Sequence, residues 1–140
     1  MKKRFFPWVL LILVSFSMLL LVSCAASTSG SDFYNAGAAD LSVTGAQFDQ
    51  YLLFRFDTTS QGHTLALPSA ADIVTNLSGP YLGEVFSFAV SADGKYNVTL
   101  IPGANVTIKP SASTVPGNTT VTMYCELDNI TSGSYAVTIY

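Results

Sequence analysis

Side chains that commonly carry out chemistry are scarce in this chain of 140 residues, which holds one histidine, His63, and two cysteines, Cys24 and Cys125. A hydrolytic triad needs a nucleophile, a histidine and a carboxylate. His63 follows Gln61 and Gly62 in a polar turn, and no serine lies in a Gly-x-Ser-x-Gly motif. A solvated loop histidine is therefore the simpler interpretation, and we expect no catalytic residue.

Pairs of carboxylates offer a second kind of chemistry, because glycosidases act through two acidic side chains. Asp49 with Asp57 and Glu126 with Asp128 are the candidate pairs. The second pair lies on the solvent face of a predicted strand, where charged residues are ordinary. A small envelope hydrolase that uses an exposed carboxylate or His63 stays an alternative to a protein without enzymatic activity.

The sequence predicts neither a metal site nor a cofactor site. A zinc cluster needs several histidine or cysteine ligands, whereas this chain has one histidine and, at Cys125, a thiol on the apolar face of a predicted strand. No Asp-x-Asp-x-Asp-Gly loop offers a calcium site, and no glycine-rich loop precedes a helix to bind phosphate. We expect Cys125 to be a buried free thiol that packs like a small hydrophobe.

The charge balance argues against nucleic acid as a partner. The chain has six basic and nine acidic residues, and three of the basic ones are Lys2, Lys3 and Arg4 at its start. The other basic residues are scattered along an acidic sequence. Binding to a phosphate backbone needs clustered lysine and arginine, so no nucleic-acid partner is expected.

The first 23 residues have the pattern of an export leader. A basic start is followed by an uncharged apolar run over residues 5–22. Basic residues stay on the cytoplasmic side of a membrane, so the rest of the chain is expected to be exported. A run of about 18 residues is long for a signal-peptide core and short for a membrane span, so a cleaved leader and an uncleaved anchor both fit it.

The apolar run ends in Leu21-Val22-Ser23-Cys24, which resembles the lipobox of bacterial lipoproteins. The resemblance implies that the signal peptide 1–23 is removed, that Cys24 receives a diacylglyceryl thioether, and that its new amino group is acylated, with palmitate as the expected chain. Such a lipid would hold the protein stably on a membrane. Alanine after the cysteine implies the outer membrane or cell surface in a two-membrane bacterium. The alternatives are a plain signal peptide or an uncleaved signal anchor, with Cys24 unmodified.

Residues 24–40 and 41–140 differ in their pattern. The first stretch is rich in small residues and shows no periodicity, so it is predicted to be the lipidated Cys24 followed by a flexible tether. From Leu41 onward, apolar residues recur at every second position, which indicates strands with one buried face. Residues 41–140 are therefore predicted to form one domain.

The predicted fold of this domain is all-β: an antiparallel, jelly-roll-like β-sandwich of seven or eight short strands. The dipeptide Asp93-Gly94 between two alternating runs predicts a hairpin of neighbouring antiparallel strands. One short helix is expected near residues 69–77. There Ser69 with Asp72 resembles a capping box, and the apolar spacing changes to that of a helix.

Several runs of this domain resemble a β-rich module of structural and fibre-like proteins of aquatic viruses and phages. They are residues 64–74, 83–88, 96–100, 103–108 and 129–137. The resemblance implies display or attachment, with a homotrimer as the expected assembly, and it carries over no catalytic residue. A virus-encoded fibre-like or capsid-associated attachment protein with an uncleaved membrane anchor is the alternative function.

The chain contains five Asn-x-Ser/Thr sequons, of which Asn97 and Asn105 alternate with the predicted inward positions. Both are thus expected to face outward, where a glycan could attach. In a protein of a eukaryotic virus these would be the glycosylation sites. In a bacterial lipoprotein the sequons would arise by chance from polar strand faces.

Together these patterns predict a non-enzymatic, surface-exposed, lipid-anchored β-domain for display, binding or structural assembly at the cell envelope. Tyrosine offers contact area with a polar tip, which suits a carbohydrate or protein ligand. The outward tyrosines expected to form the contact surface are Tyr51, Tyr81, Tyr124 and Tyr140. Alternatively, these residues cap sheet edges or fill a subunit interface.

Overall fold

The computed structural model describes residues 33–140. The predicted leader 1–23, the lipobox and Cys24 lie outside the described residues. The described chain contains ten strands, two short α-helices and one 3-10 helix. They are β1 (Phe33–Gly37), β2 (Leu41–Ser42), α1 (Gly45–Gln50), β3 (Leu53–Phe56), β4 (His63–Ala66), α2 (Ala70–Asn76), β5 (Val85–Ala92), β6 (Val98–Ile101), β7 (Val106–Ile108), the 3-10 helix Pro110–Ala112, β8 (Thr114–Val115), β9 (Thr119–Asn129) and β10 (Ala136–Ile139).

The strands form two mixed sheets, so the prediction of a β-rich fold is confirmed at that level. The larger sheet has six strands in the order β1-β3-β5-β9-β10-β7, and the smaller sheet has four in the order β2-β4-β6-β8. The predicted antiparallel arrangement is wrong, because five of the eight strand pairings are parallel. Ten strands replace the seven or eight expected, since β2 and β8 have two residues each and show no alternation.

Parallel pairing arises because the chain repeats one path. It runs along a strand of the larger sheet, then along a strand of the smaller sheet, and returns, so that β1 and β2 precede β3 and β4, and these precede β5 and β6. Equivalent strands therefore stack in the same direction, with Leu41 opposite Leu65 and Leu65 opposite Leu100. An alternating sequence assigns faces to residues, but it does not say which strands are partners.

The helix predicted near residues 69–77 is confirmed as α2, Ala70–Asn76. The hydroxyl of Ser69 accepts a hydrogen bond from the backbone N–H of Asp72 at 3.1 Å, which satisfies one of the free amides at the helix start. Ile73 is buried in the core. The cap places the start of the helix after Ser69, and the apolar spacing that follows gives the helix one buried face.

The second helix, α1, is an addition to the predicted fold. Thr44 and Gln47 form a complete capping box, and Phe48 inserts into the core. A Cβ on Gly45 would lie 2.4 Å from the carbonyl oxygen of Asp72, so α1 and α2 touch at a glycine. With six residues, α1 is too short for its apolar spacing to stand out in the sequence.

The Asp93-Gly94 turn does not form the predicted hairpin. β5 belongs to the larger sheet and β6 to the smaller one, so the chain crosses between sheets at this turn. Asp93 accepts a hydrogen bond from the hydroxyl of Ser91 and pairs with Arg55 of β3. A Cβ on Gly94 would lie 2.4 Å from the carbonyl carbon of Thr58. The glycine is therefore required by the contact between two loops and not by hairpin geometry.

A single hydrophobic cluster includes buried residues of both sheets. In β9 the predicted alternation is confirmed, since Met123, Cys125 and Leu127 are fully buried. Cys125 is buried and, within residues 33–140, is a free thiol, as expected, and burial raises its pKa to about 12. The alternation predicts that Leu52 and Tyr96 point inward, but they are 61% and 40% exposed. Each lies just before a strand, where the alternation of side chains between faces does not apply.

The folded domain begins before residue 41. β1 pairs in parallel with β3, and Tyr34 packs against the core. The predicted tether 24–40 and the predicted domain start at 41 are therefore wrong for Phe33–Gly37. This strand contains Ala36 and ends in Gly37, whose φ is 62°. Because these residues are small, the sequence of the strand resembles that of a flexible linker.

Candidate binding face

The outer face of the larger sheet carries a cross-strand pair of exposed tyrosines. Tyr124 lies in β9, and Tyr140 directly follows β10. The backbone N–H of each residue donates to the carbonyl oxygen of the other, at 3.2 and 3.0 Å. Residues that face each other in this way project from the same side of a sheet. Their exposed fractions are 54% and 46%.

Two charged groups hold the ring of Tyr140. Its hydroxyl donates a hydrogen bond of 2.9 Å to the carboxylate of Glu126, and the ammonium of Lys109 lies 5.6 Å from the ring centroid. The hydrogen bond to Glu126 raises the pKa of Tyr140, with a smaller contribution from burial. The hydroxyl is therefore a neutral donor fixed to its neighbour, and the ring is presented in a defined orientation.

Val85 of β5 extends this surface to a third strand. It lies opposite Glu126 in the β5–β9 pairing, two pairs along from Ser87 opposite Tyr124 and therefore on the same face, and it is 55% exposed. We call the surface formed by Val85, Tyr124 and Tyr140 the tyrosine face. It combines exposed apolar area with fixed polar groups, which is the composition of a contact surface.

The four tyrosines expected to form the contact surface are only partly brought together. Tyr124 and Tyr140 are adjacent, and Tyr81 is 62% exposed in the loop before β5. Tyr51 is half-buried, and its ring packs edge-on against Tyr34 with centroids 5.3 Å apart. Tyr51 therefore stabilises the fold near β1 and is not part of the tyrosine face.

His63 is buried, so the prediction of a solvated loop histidine is wrong. It begins β4, its side chain is 1% exposed, and its ring stacks on Phe56 at 6.3 Å between centroids. Nδ1 lies 3.5 Å from a carboxylate oxygen of Asp40, and within residues 33–140 neither ring nitrogen has a hydrogen-bond partner. The polar turn ends at Gly62, so His63 is already the first residue of β4 and its side chain is buried.

Three of the four carboxylates considered for catalysis have structural partners, and the fourth, Asp49, is exposed in α1. Glu126 accepts from Tyr140, and Asp128 accepts a hydrogen bond of 2.6 Å from the hydroxyl of Thr138. The hydroxyl and backbone N–H of Thr59 lower the pKa of Asp57. In the part of the chain that the structure describes, there is no group of three or more His, Cys, Asp or Glu that could hold a metal ion.

Asn97 and Asn105 are both exposed, as the alternation predicts. The side-chain oxygen of Asn97 accepts a hydrogen bond of 3.1 Å from the backbone N–H of Gly117. This bond directs the amide nitrogen, to which a glycan would attach, away from Gly117. Asn105 lies in a turn with a φ of 59°. Glycosylation of either residue stays a prediction.

A second concave surface lies on the outer face of the smaller sheet and has no counterpart among the predicted sites. It is a polar groove with a volume of about 500 Å³, formed around the start of β4 and the start of β6. Among its lining residues are His63, Thr64, Tyr96, Asn97 and Thr99. The sequence gives no signal for it, because the groove depends on the parallel pairing of β4 with β6.

The chain matches no protein-family model, and comparisons with curated proteins and with solved structures also found no match. Among residues 33–140, no helix has the length and apolar character needed to cross a membrane.

Proposed function

We propose that this protein is an exported, lipid-anchored, non-enzymatic surface protein whose β-domain serves display, binding or assembly at the cell envelope. The observation that carries the binding role is the tyrosine face, where exposed Tyr124 and Tyr140 lie side by side on neighbouring strands. Aromatic residues are enriched in protein contact surfaces because they offer a large area with few rotamers to order.

The lipid anchor rests on the lipobox resemblance at Leu21-Val22-Ser23-Cys24. The folded domain supports this arrangement, because its first described strand, β1, begins nine positions after Cys24. A lipid on Cys24 would therefore hold the domain close to a membrane, with its sheets available to partners outside it.

Buried residues of both sheets belong to one hydrophobic cluster. This supports the proposal that the β-rich fold is a sandwich. In a sandwich, two sheets bury their inner faces against each other and leave the outer faces free. The tyrosine face would then be the outer surface of one layer. Its apolar side chains would not be needed for the core, which leaves them available for a partner.

The absence of enzymatic activity is part of the proposal. Support comes from the positions of the groups that a hydrolase would use: the ring of His63 is buried, and Glu126 and Asp128 are hydrogen-bonded to Tyr140 and Thr138. A hydrolase of this chain would need these groups to be free for a substrate.

Mild iodination of tyrosines tests the binding role even while the partner is unidentified. The full-length protein is labelled in intact host envelopes and, separately, after purification in detergent, and the labelled peptides are quantified by mass spectrometry. We expect Tyr124 and Tyr140 to be protected in envelopes and labelled after purification. Tyr81, which is 62% exposed outside the tyrosine face, is the internal control. Equal labelling of Tyr124 and Tyr140 in both samples would contradict the proposal.

The state of assembly is measured on the same purified protein by light scattering with a correction for detergent. A trimer whose assembly is abolished by changing Tyr124 and Tyr140 to serine would identify a second copy as the occupant of the tyrosine face. A monomer with protected tyrosines in envelopes would identify a different protein or carbohydrate partner.

A further inference from the structure

The geometry points to a saccharide-binding site in the polar groove on the outer face of the smaller sheet. This site is separate from the tyrosine face and does not depend on it. Its ligand class is a neutral oligosaccharide, which presents closely spaced hydroxyl groups and an apolar face of ring C–H groups. The groove contains complementary groups for both features.

The floor of the groove carries a row of hydroxyl groups. Two lining residues, Thr64 of β4 and Thr99 of β6, lie opposite each other. Thr114 of β8 lies opposite Thr99 and continues the row beyond the lining residues. Neighbouring strands are about 4.8 Å apart, so the three side chains form a regular ladder across the sheet. Each hydroxyl can donate one hydrogen bond and accept two, which matches the hydroxyl groups of a sugar.

The groove also contains an aromatic ring and an amide. Tyr96 is 40% exposed although the alternation predicts a core position for it, and the ammonium of Lys95 lies 4.8 Å from its ring centroid. An exposed cation–π contact is weak, so a ligand can displace Lys95 from the ring. Asn97 adds two N–H donors, because its oxygen is already bound to the N–H of Gly117.

His63 borders the groove only through its position at the start of β4. Its side chain is 1% exposed, and its ring stacks on Phe56 on the core side of the sheet, so the ring is not part of the ligand surface. The groups that face the groove are those of Thr64, Tyr96, Asn97 and Thr99.

The charges around the groove favour a neutral ligand over an anionic one. Lys95 is the one cation among the lining residues, and it is already placed over Tyr96. The carboxylate of Asp40 accepts a hydrogen bond from the backbone N–H of Thr64 and is 68% exposed. Its negative charge beside the groove would repel a sulfated or carboxylated sugar.

The test is saturation-transfer NMR on the full-length protein, made in a bacterial host without N-glycosylation and purified in a polyoxyethylene detergent that contains no sugar. The probes are cellohexaose, maltohexaose and chitohexaose, with a heparin-derived hexasaccharide as the anionic comparison. A concentration of about 5 mM exceeds the Kd of roughly 1 mM that a shallow site allows. The variants are Tyr96→Ala and the near-isosteric Thr99→Val. The matched control is Tyr81→Ala, which changes a tyrosine that is 62% exposed and lies outside both the groove and the tyrosine face.

We expect at least one neutral hexasaccharide to receive saturation from the wild type and from Tyr81→Ala. Loss of the aromatic contact in Tyr96→Ala should reduce the signal by about fivefold or more, and Thr99→Val should reduce it as well. The proposal is overturned if no neutral sugar is saturated, if the heparin fragment alone binds, or if the signal survives Tyr96→Ala. Circular dichroism of each variant establishes that the fold is retained.

Discussion

Tyr124 and Tyr140 exchange both of their backbone hydrogen bonds across β9 and the end of β10, at 3.2 and 3.0 Å. This pairing fixes two exposed aromatic rings on one face of a rigid sheet. A rigid aromatic pair loses little conformational entropy when a partner binds. The same pairing brings the hydroxyl of Tyr140 to Glu126, which makes the tyrosine face sensitive to high pH.

The ionisation of Tyr140 should depend on Glu126. The hydrogen bond between them raises the pKa of Tyr140, so the neutral form is favoured in the folded protein. The resulting stability is fully present below the unfolded-state pKa of about 10, and it is lost as pH rises through the higher folded-state pKa. We expect the difference in unfolding free energy between wild type and Tyr140→Phe to be constant at neutral pH and to fall in this alkaline range.

Ultraviolet absorbance of tyrosinate, compared between wild type and Tyr140→Phe, isolates the titration of Tyr140. Glu126→Gln should move that titration towards the ordinary tyrosine range, because the carboxylate is removed. An unchanged titration in Glu126→Gln would show that the hydrogen bond does not control the ionisation of Tyr140.

Asp93 should control the acid limit of stability. The hydroxyl of Ser91 and, next, the guanidinium of Arg55 lower the pKa of Asp93. Its contribution to stability is therefore present above the unfolded-state pKa of about 4, and it is lost as pH falls through the folded-state pKa. Because the pair is more than a third exposed, we expect Asp93→Asn to cost roughly 1 kcal/mol at neutral pH.

Denaturant unfolding at neutral pH and near pH 3 measures this contribution. The gap between wild type and Asp93→Asn should shrink at the lower pH. The matched control is Asp49→Asn, which changes an exposed carboxylate in α1. A gap that stays constant with pH would rule out the charged form of Asp93 as the source of its effect.

Cys125 should be inert in the folded protein. It is fully buried, and burial raises its pKa to about 12, so almost no thiolate exists at neutral pH. In a Cys24→Ala background Cys125 is the one remaining thiol. We expect a thiol reagent to modify it at the rate of unfolding, and to react at once after addition of denaturant. Rapid reaction of the native protein would contradict the placement of Cys125 in the core.

Gly94 should be intolerant of any side chain. An added Cβ would lie 2.4 Å from the backbone of Thr58 and Thr59, and backbone atoms cannot rotate away as side chains do. We expect Gly94→Ala to destabilise the protein by about 2 kcal/mol or more. Chemical denaturation measures the change, with Ser60→Ala at an exposed position of the neighbouring loop as the control. A change below about 0.5 kcal/mol would refute the tight contact between the two loops.

Local features of the fold are predictable from the sequence. The alternation around Met123, Cys125 and Leu127 identifies the buried face of β9, and Ser69 with Asp72 identifies the start of α2. Each of these signals arises from residues close together in the chain. Their physical cause, side-chain alternation or an amide cap, does not depend on which other strands are present.

Long-range relationships are not predictable in this way. Asp93-Gly94 has the composition of a hairpin turn, yet the chain crosses to the other sheet there. The row of Thr64 and Thr99 and the burial of His63 depend on β4 pairing with β6, which are more than thirty residues apart at these positions. The tyrosine face is an intermediate case, since exposure of Tyr124 follows from alternation but its contact with Tyr140 follows from strand pairing.

The most direct test of the proposed surface role is the intact mass of the membrane-bound protein, expressed from its own leader in its own host. We expect a chain that begins at Cys24 and carries added acyl mass, and we expect Cys24→Ala to move the protein out of the membrane fraction with its domain folded. A chain that retains residues 1–23, or that carries glycans at Asn97 or Asn105 in place of a lipid, would contradict a lipid-anchored envelope protein.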